Sequence, residues 1–218
     1  MGLWSVVYKD YRRHRSMGAG RFTTLFLTQG LGATTVYRIS RYLLLKAPEG
    51  SFRRILRVFL AVAQKGVEVV AGISLPPECE IGEGFYVGHY GNIIIGKGCR
   101  LGRNCNVSQG VTIGVGGRRN KRGCAVVGDR VYIGPNAILF GDIAVGDDSA
   151  VGAGAIVNRS FPELSNILGN PARRISSEGS FDFIMYDGML TDPDRRAALA
   201  RRSETEPASS SAGCPRSG

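Results

Sequence analysis

Two histidines occur in this chain, His14 and His89, in different settings. His14 lies in the basic run 12–15. His89 stands in Val87-Gly88-His89-Tyr90-Gly91, inside a glycine-rich half. An imidazole titrates near neutral pH, so it can take a proton from a reacting group and give it back within one cycle. On its chemistry His89 is a candidate general base, with an ordinary surface turn residue as the alternative. The loop 114–123 gathers Arg118, Arg119, Lys121 and Arg122, four cations that suit phosphate groups; a solvated, solubilising loop is the equal alternative. The five cysteines are Cys79, Cys99, Cys105, Cys124 and Cys214. They form no CxxC pair, and their number is odd. Neither a zinc site nor a disulfide framework is expected, and reduced thiols in the cytoplasm are.

These residues must be positioned by a scaffold, and the sequence shows which. Within the 218 residues there are 31 glycines and 9 prolines. That glycine load without a three-residue period implies many tight turns. From residue 72 onward an aliphatic residue, usually followed by glycine, returns at every sixth position. It runs as Ile81, Val87, Ile95, Leu101, Val107 and Ile113, then Val127, Ile133, Leu139, Val145, Val151 and Val157. Small or apolar residues recur four positions later, at Cys99, Cys105, Val111, Val131, Ala137, Ser149 and Ala155. A period of six fits neither an α-helix nor a plain strand. It fits a β-helix, in which three hexads close one triangular coil and the aliphatic side chains fill the interior. Cys99 and Cys105 then read as packing residues.

Two interruptions break the period. One falls just after His89 and implies a small bulge. The other holds the basic stretch 114–123 and implies an extruded loop, and loops that leave a rigid scaffold often carry function. The β-helix is expected to end near Phe161-Pro162. Upstream, residues 1–70 show apolar spacings of three and four, which predicts helices. The stretch 55–75 is apolar but holds Arg57, Lys65 and Glu68, so it predicts an amphipathic helix rather than an integral membrane segment. A short helix is expected around 193–202, and 203–218 is expected to be disordered. The expected division is a helical segment 1–70, a β-helix 71–175 and an extension 176–218. The fold class is mainly β: a left-handed parallel β-helix of hexapeptide repeats with an N-terminal α-helical segment.

Net charge is +10, which raises the question of a polyanionic partner. No nucleic-acid motif accompanies it and aromatics are few, so no nucleic-acid partner is expected. Clusters at 12–15, 118–122 and 195–202 read equally as solvated faces. Lys9 and Asp10 interrupt the first apolar residues, against a secretory signal.

The hexads, the loop and the exit Gly169-Asn170-Pro171-Ala172-Arg173 resemble the hexapeptide-repeat acyltransferases, and within them the serine acetyltransferase group. The likeness covers roughly residues 23–175. Gly72-Ile73-Ser74-Leu75-Pro76 is similar to the entry to the first coil, Val87-Gly88-His89-Tyr90-Gly91 to the catalytic histidine turn, and Gln109-Gly110-Val111-Thr112-Ile113-Gly114 to the strand before the loop. Ile133-Gly134-Pro135-Asn136-Ala137 and Val151-Gly152-Ala153-Gly154-Ala155 are similar to later coils. The resemblance implies acetyl-CoA as acyl donor, held near Val115, Gly116, Pro135 and Ala153, and a small hydroxyl acceptor near Ser74, Gly88, Arg122 and Cys124. It implies no metal. It also implies a homotrimer, or a dimer of trimers, with each site built from two subunits.

The departures concern the acceptor. Ser74 stands where the family has the aspartate that orients the histidine, and Gly88 where it has the aspartate before it. Gly123 and Cys124 replace an Arg-His pair that holds the amino acid. A sugar, polysaccharide or glycolipid hydroxyl thus rivals L-serine, and a non-catalytic scaffold is a further alternative. A backbone carbonyl or Glu78 is the candidate replacement for the missing aspartate. Asp10 loosely matches an acidic residue that contacts serine in the family, or is a helix-surface acid. The hexapeptide-repeat carbonic anhydrases need three histidines on zinc, and only His89 lies in the repeats.

Overall fold

A computed structural model describes residues 2–18, 20–22, 28–46, 50–117 and 122–205. Three helices come first: α1 (Leu3–Arg15), α2 (Gln29–Lys46) and α3 (Ser51–Ala71). Gly72, at φ 64°, ends α3 by donating to Glu68 O at 3.0 Å, a left-handed cap that glycine reaches without strain.

The chain then winds into coils of three short strands each. The first coil lays down β1 (Ile73–Ser74), β2 (Glu80–Ile81) and β3 (Tyr86–Val87), and the second β4 (Ile93–Ile95), β5 (Arg100–Leu101) and β6 (Asn106–Val107). The third holds β7 (Thr112–Gly116), an excursion returning as β8 (Gly123–Cys124), then β9 (Val126–Val127) and β10 (Tyr132–Ile133). Next come β11 (Ile138–Phe140), β12 (Ala144–Val145) and β13 (Ala150–Val151), then β14 (Ile156–Val157) and β15 (Asn166–Leu168). Strands stack in parallel into three faces: β1-β4-β7-β11-β14, β2-β5-β9-β12, and β3-β6-β10-β13-β15. β16 (Arg173–Ser176) closes the third face by pairing antiparallel with β15.

The register explains the period. Val87 pairs with Val107, Val107 with Ile133, and Ile133 with Val151, so one interior position recurs at every coil. All twelve aliphatic residues of the repeat from Ile81 to Val157 are buried, as are Cys99, Cys105, Val111, Val131, Ala137, Ser149 and Ala155. Each buried Val, Ile or Leu contributes about 1.5–3 kcal/mol, and the column forms one continuous core. Burial also pushes the Cys99 and Cys105 thiols up to about 12, in keeping with packing roles. The coil does not end at Phe161-Pro162 as the period suggested. Phe161 bridges to Val145, β15 follows, and Phe161, Leu164 and Ile167 stay buried. The inward residue comes early there: Phe161 lies four positions after Val157, so the chain is two residues short of the six-residue count before β15, and Ile167 follows Phe161 at the regular six.

The basic run of the first helix is not a solvated face throughout. Asp10, Arg13 and His14 are buried where α1 meets β3. Asp10 accepts from Arg38 Nε (2.8 Å) and from the Phe85 amide (3.0 Å), while Arg38 also donates to the Ile81 and Gly82 carbonyls. Tyr37 donates to Cys79 O at 3.0 Å and accepts from the Ile81 amide at 3.1 Å. Gly30 lets α2 lie on β3: a Cβ there would meet Val87 O at 2.5 Å. The segment after β16 covers the third face. Phe183 stacks on Tyr132 at 4.7 Å, and Ser180 Oγ donates to Arg130 O above the buried Arg130–Asp148 pair. A last helix, α4 (Pro193–Thr205), follows.

His14 predicts a pH dependence of stability. Its Nδ1 lies 2.9 Å from Asp10 O and its ring packs on Tyr86. Burial, opposed by the hydrogen bond to Asp10 and helped by Arg13, brings it down to about 4 from 6.5. Between those pH values the unfolded chain binds the extra proton, so stability is complete above about pH 6.5 and falls as pH drops toward 4. The loss expected is on the order of 3 kcal/mol. Urea titrations of the parent and His14→Gln across this range measure it. Parallel curves for the two proteins would show that His14 does not contribute.

α3 is one-sided. Leu56, Leu60 and Val67 are half-buried, while Phe52, Ile55, Val58, Phe59, Val62, Val69 and Val70 are exposed. No helix among the described residues is long and apolar enough to cross a membrane.

Candidate functional site

His89 sits at the corner where the third face passes to the first, between β3 and β4. Its side chain is exposed. The bulge anticipated after it is the turn through Gly91 (φ 103°) and Asn92 (φ 53°). Backbone bonds staple this turn to the end of α3. Gly91 N–H donates to Ala71 O, and Ile93 N–H to Gly72 O, both at 2.9 Å. Gly72 is required there as well as for its φ, because a Cβ would stand 2.9 Å from the Asn92 nitrogen. Gly88 lies over Tyr86, with a built Cβ 3.1 Å from its ring. Tyr86 in turn contacts His14 and Arg13.

The same corner recurs above it, coil by coil. Gly110 N–H donates to Gly91 O (2.9 Å), Asn136 N–H to Gln109 O (2.9 Å), and Gly154 N–H to Pro135 O (2.8 Å). His89, Gln109, Pro135 and Ala153 thus stand on one edge of the coil. Of the residues expected at the donor, Pro135 and Ala153 are brought into line with His89.

The others lie on a different edge. The excursion leaves where the first face turns into the second. Val115 pairs with Cys124 and Gly116 with Gly123 in an antiparallel ribbon. A Cβ on Gly116 would meet the Phe140 ring at 2.6 Å, so this ribbon lies close on the next coil. Cys124 Sγ donates to Lys97 O at 3.0 Å, which occupies that thiol with a scaffold carbonyl. Arg122 is exposed; Arg118, Arg119 and Lys121 lie outside the described residues. Val115, Gly116, Arg122 and Cys124 are therefore separated from His89 by the width of the first face. That face carries exposed Ile94 and Ile138.

Ser74 does not stand alone. Its Oγ donates to Glu68 Oε1 at 2.7 Å, and Lys65 Nζ holds Glu68 Oε2 at 2.6 Å. These bonds, that from Lys65 first, keep the Glu68 carboxyl below its ordinary range. Glu68, Gly72, Ser74, Asn92, Ile93 and Ile94 line one open depression of about 320 Å³. Glu78 is placed elsewhere, paired with Lys97 at 3.2 Å. The acid that Ser74 contacts is Glu68, not Glu78. The signal in the sequence is a carboxylate in the last turn of a helix, where it opposes the helix dipole. Asp10 contacts no open site; it is buried against Arg38.

Over 158 residues the chain is 30% identical to the serine acetyltransferase of Bacillus subtilis, which spans 72% of this chain and 69% of that protein. It is 29% identical over 191 residues to the serine acetyltransferase of Mycobacterium tuberculosis, covering 80% and 78%. Among solved structures, a serine acetyltransferase of Neisseria gonorrhoeae superposes with a TM-score of 0.70 at 26% identity, over 80% of this chain and 65% of that one. No protein-family model matches.

Proposed function

Because the chain belongs to the serine acetyltransferase family of acyltransferases, we propose that it moves an acetyl group from acetyl-CoA to a small-molecule hydroxyl, with His89 as base, on a left-handed β-helix formed by residues 71–175. The observation that carries this is the corner column, which sets His89 in line with Pro135 and Ala153. A donor lying along that edge would present its thioester beside the imidazole. The acceptor oxygen bonds the carbonyl carbon as His89 takes its proton. When the C–S bond breaks, the sulfur receives that proton. The expected setting is the cytoplasm.

L-Serine is the acceptor that the relatives' names suggest. The absence of the Arg-His pair at Gly123 and Cys124 favours a second reading, a sugar hydroxyl that brings no carboxylate. Thiol release from acetyl-CoA with L-serine and with a panel of sugars and nucleotide sugars separates them. Turnover with serine alone, or with a sugar alone, assigns the acceptor. No release with any of them would leave the scaffold reading.

The split site supports a homotrimer. His89, Pro135 and Ala153 occupy one edge while Val115, Gly116, Arg122 and Cys124 occupy another, so only a second copy can close a cleft between them. The exposed isoleucines of the first face and the apolar side of α3 offer the surface. The parent is expected to elute at three times, or six times, the chain mass. Ile138→Arg should shift it to a monomer and remove activity with His89 untouched. Light scattering after gel filtration checks this; an active monomeric parent would rule it out.

A further inference from the structure

An exposed imidazole is a poor base unless something fixes its orientation and its charge once protonated. Among the described residues, His89 makes no hydrogen bond, and residue 74 is a serine. We propose that Glu68 is a positioning residue for acetyl transfer, supplying through Ser74 the negative charge that faces the His89 corner. This rests on the reading of His89 as the base.

Three observations converge on Glu68. Ser74 Oγ, at the position beside Ile94 in the β1–β4 register, spends its proton on the Glu68 carboxylate at 2.7 Å. The turn that carries His89 is bonded to Ala71, the last residue of α3, and to Gly72, which caps that last turn on Glu68 O. The carboxylate and the histidine turn therefore belong to one rigid corner, and Glu68, Ser74 and Asn92 open into the same depression. Finally, Glu68 is ionised at neutral pH, held low by Lys65 and Ser74. A carboxylate in the last turn of a helix that has no basic residue there opposes the dipole. Its bonds to Lys65 and Ser74 offset that cost and fix it beside the histidine turn.

The charged and titratable groups around the corner are few. α3 contributes Lys65 and Glu68. Behind Gly88 stand Tyr86 and, from α1, Arg13 and His14. Tyr90 is exposed beside His89. Of these only Glu68 is an anion. In the reaction Glu68 takes no proton. The hydroxyl proton passes to the imidazole and then to the departing sulfur, and the carboxylate stabilises the imidazolium between the two transfers.

The test compares the full-length parent with Glu68→Gln, Ser74→Ala, the double variant Glu68→Gln/Ser74→Asp, and His89→Ala. Measured are kcat, KM for acetyl-CoA, the pH profile of kcat/KM and the melting temperature. Glu68→Gln should lower kcat by about tenfold, a fraction of the total effect of general-base catalysis, with KM for acetyl-CoA unchanged. The acid limb of kcat/KM should move to lower pH, because protonated His89 loses its counter-charge. Ser74→Ala should show a weaker form of both effects. The double variant, which puts a carboxylate on residue 74 itself, should recover both. A parent-like kcat and acid limb in Glu68→Gln, beside an inactive His89→Ala, would overturn the proposal and leave the base in place. A lower melting temperature with an unmoved acid limb and no rescue by Ser74→Asp would overturn it in favour of a purely structural bond. Full activity in His89→Ala would remove the base assignment and this proposal with it.

Discussion

His89→Ala is expected to lose acetyl transfer by a factor of at least about 100, the lower end of what a positioned base contributes, while folding normally. The side chain is exposed and bonded to nothing among the described residues, so its removal should change stability by less than about 0.5 kcal/mol. The turn holding it is fixed by backbone bonds from Gly91 and Ile93 to the end of α3, which alanine leaves intact. The drop should fall in kcat and kcat/KM together, because the proton is transferred only in the transition state. Thiol release from acetyl-CoA, with the melting temperature measured alongside, checks both halves. Parent-like turnover would remove His89 from the mechanism. Lost turnover with a lowered melting temperature would assign it a structural part instead.

Asp10→Ala is expected to have the largest effect on stability. Asp10 is 1% exposed and faces Arg38, which is 7% exposed. Burial pushes the Asp10 carboxyl up, and the Arg38 charge and hydrogen bonds from Arg38 and the Phe85 backbone oppose that shift. Removing the carboxylate leaves a guanidinium with only the carbonyls of Ile81 and Gly82, and it strips the Phe85 amide of its acceptor. Breaking a buried pair in this way costs about 3–5 kcal/mol. The damage concentrates where α1 and α2 dock on the first coil, and His14 and Arg13 depend on that docking. Urea unfolding measures the loss. A change below about 1 kcal/mol would mean that the clamp is dispensable.

The repeat was legible residue by residue because its cause is local. A six-residue strand and turn has to send one aliphatic side chain inward at each pass, and Ile81 through Val157 record this in the sequence whatever lies around them. The period failed between Val157 and Phe161, where the chain reaches its next inward residue in four positions, since a shortened turn leaves no trace in a fixed count. His89 was legible for the same reason as the repeat: it occupies a turn position within a hexad, beside a visible two-residue bulge.

Three-dimensional geometry decided the rest. That Ser74 holds Glu68, six residues away, depends on how the chain turns at Gly72 from α3 into β1, and no spacing encodes that turn. The burial of Asp10, Arg13 and His14 in a run of basic residues depends on α1 finding β3, far away in sequence. The division of the site between two edges depends on which corner the excursion leaves from, and that follows from coil count and register together. The sequence alone determined a coiled β scaffold with one histidine on its edge. Only the tertiary structure shows which carboxylate meets Ser74 and that the residues expected at the site lie on two edges of the coil, because both depend on corners that form only once the chain is wound.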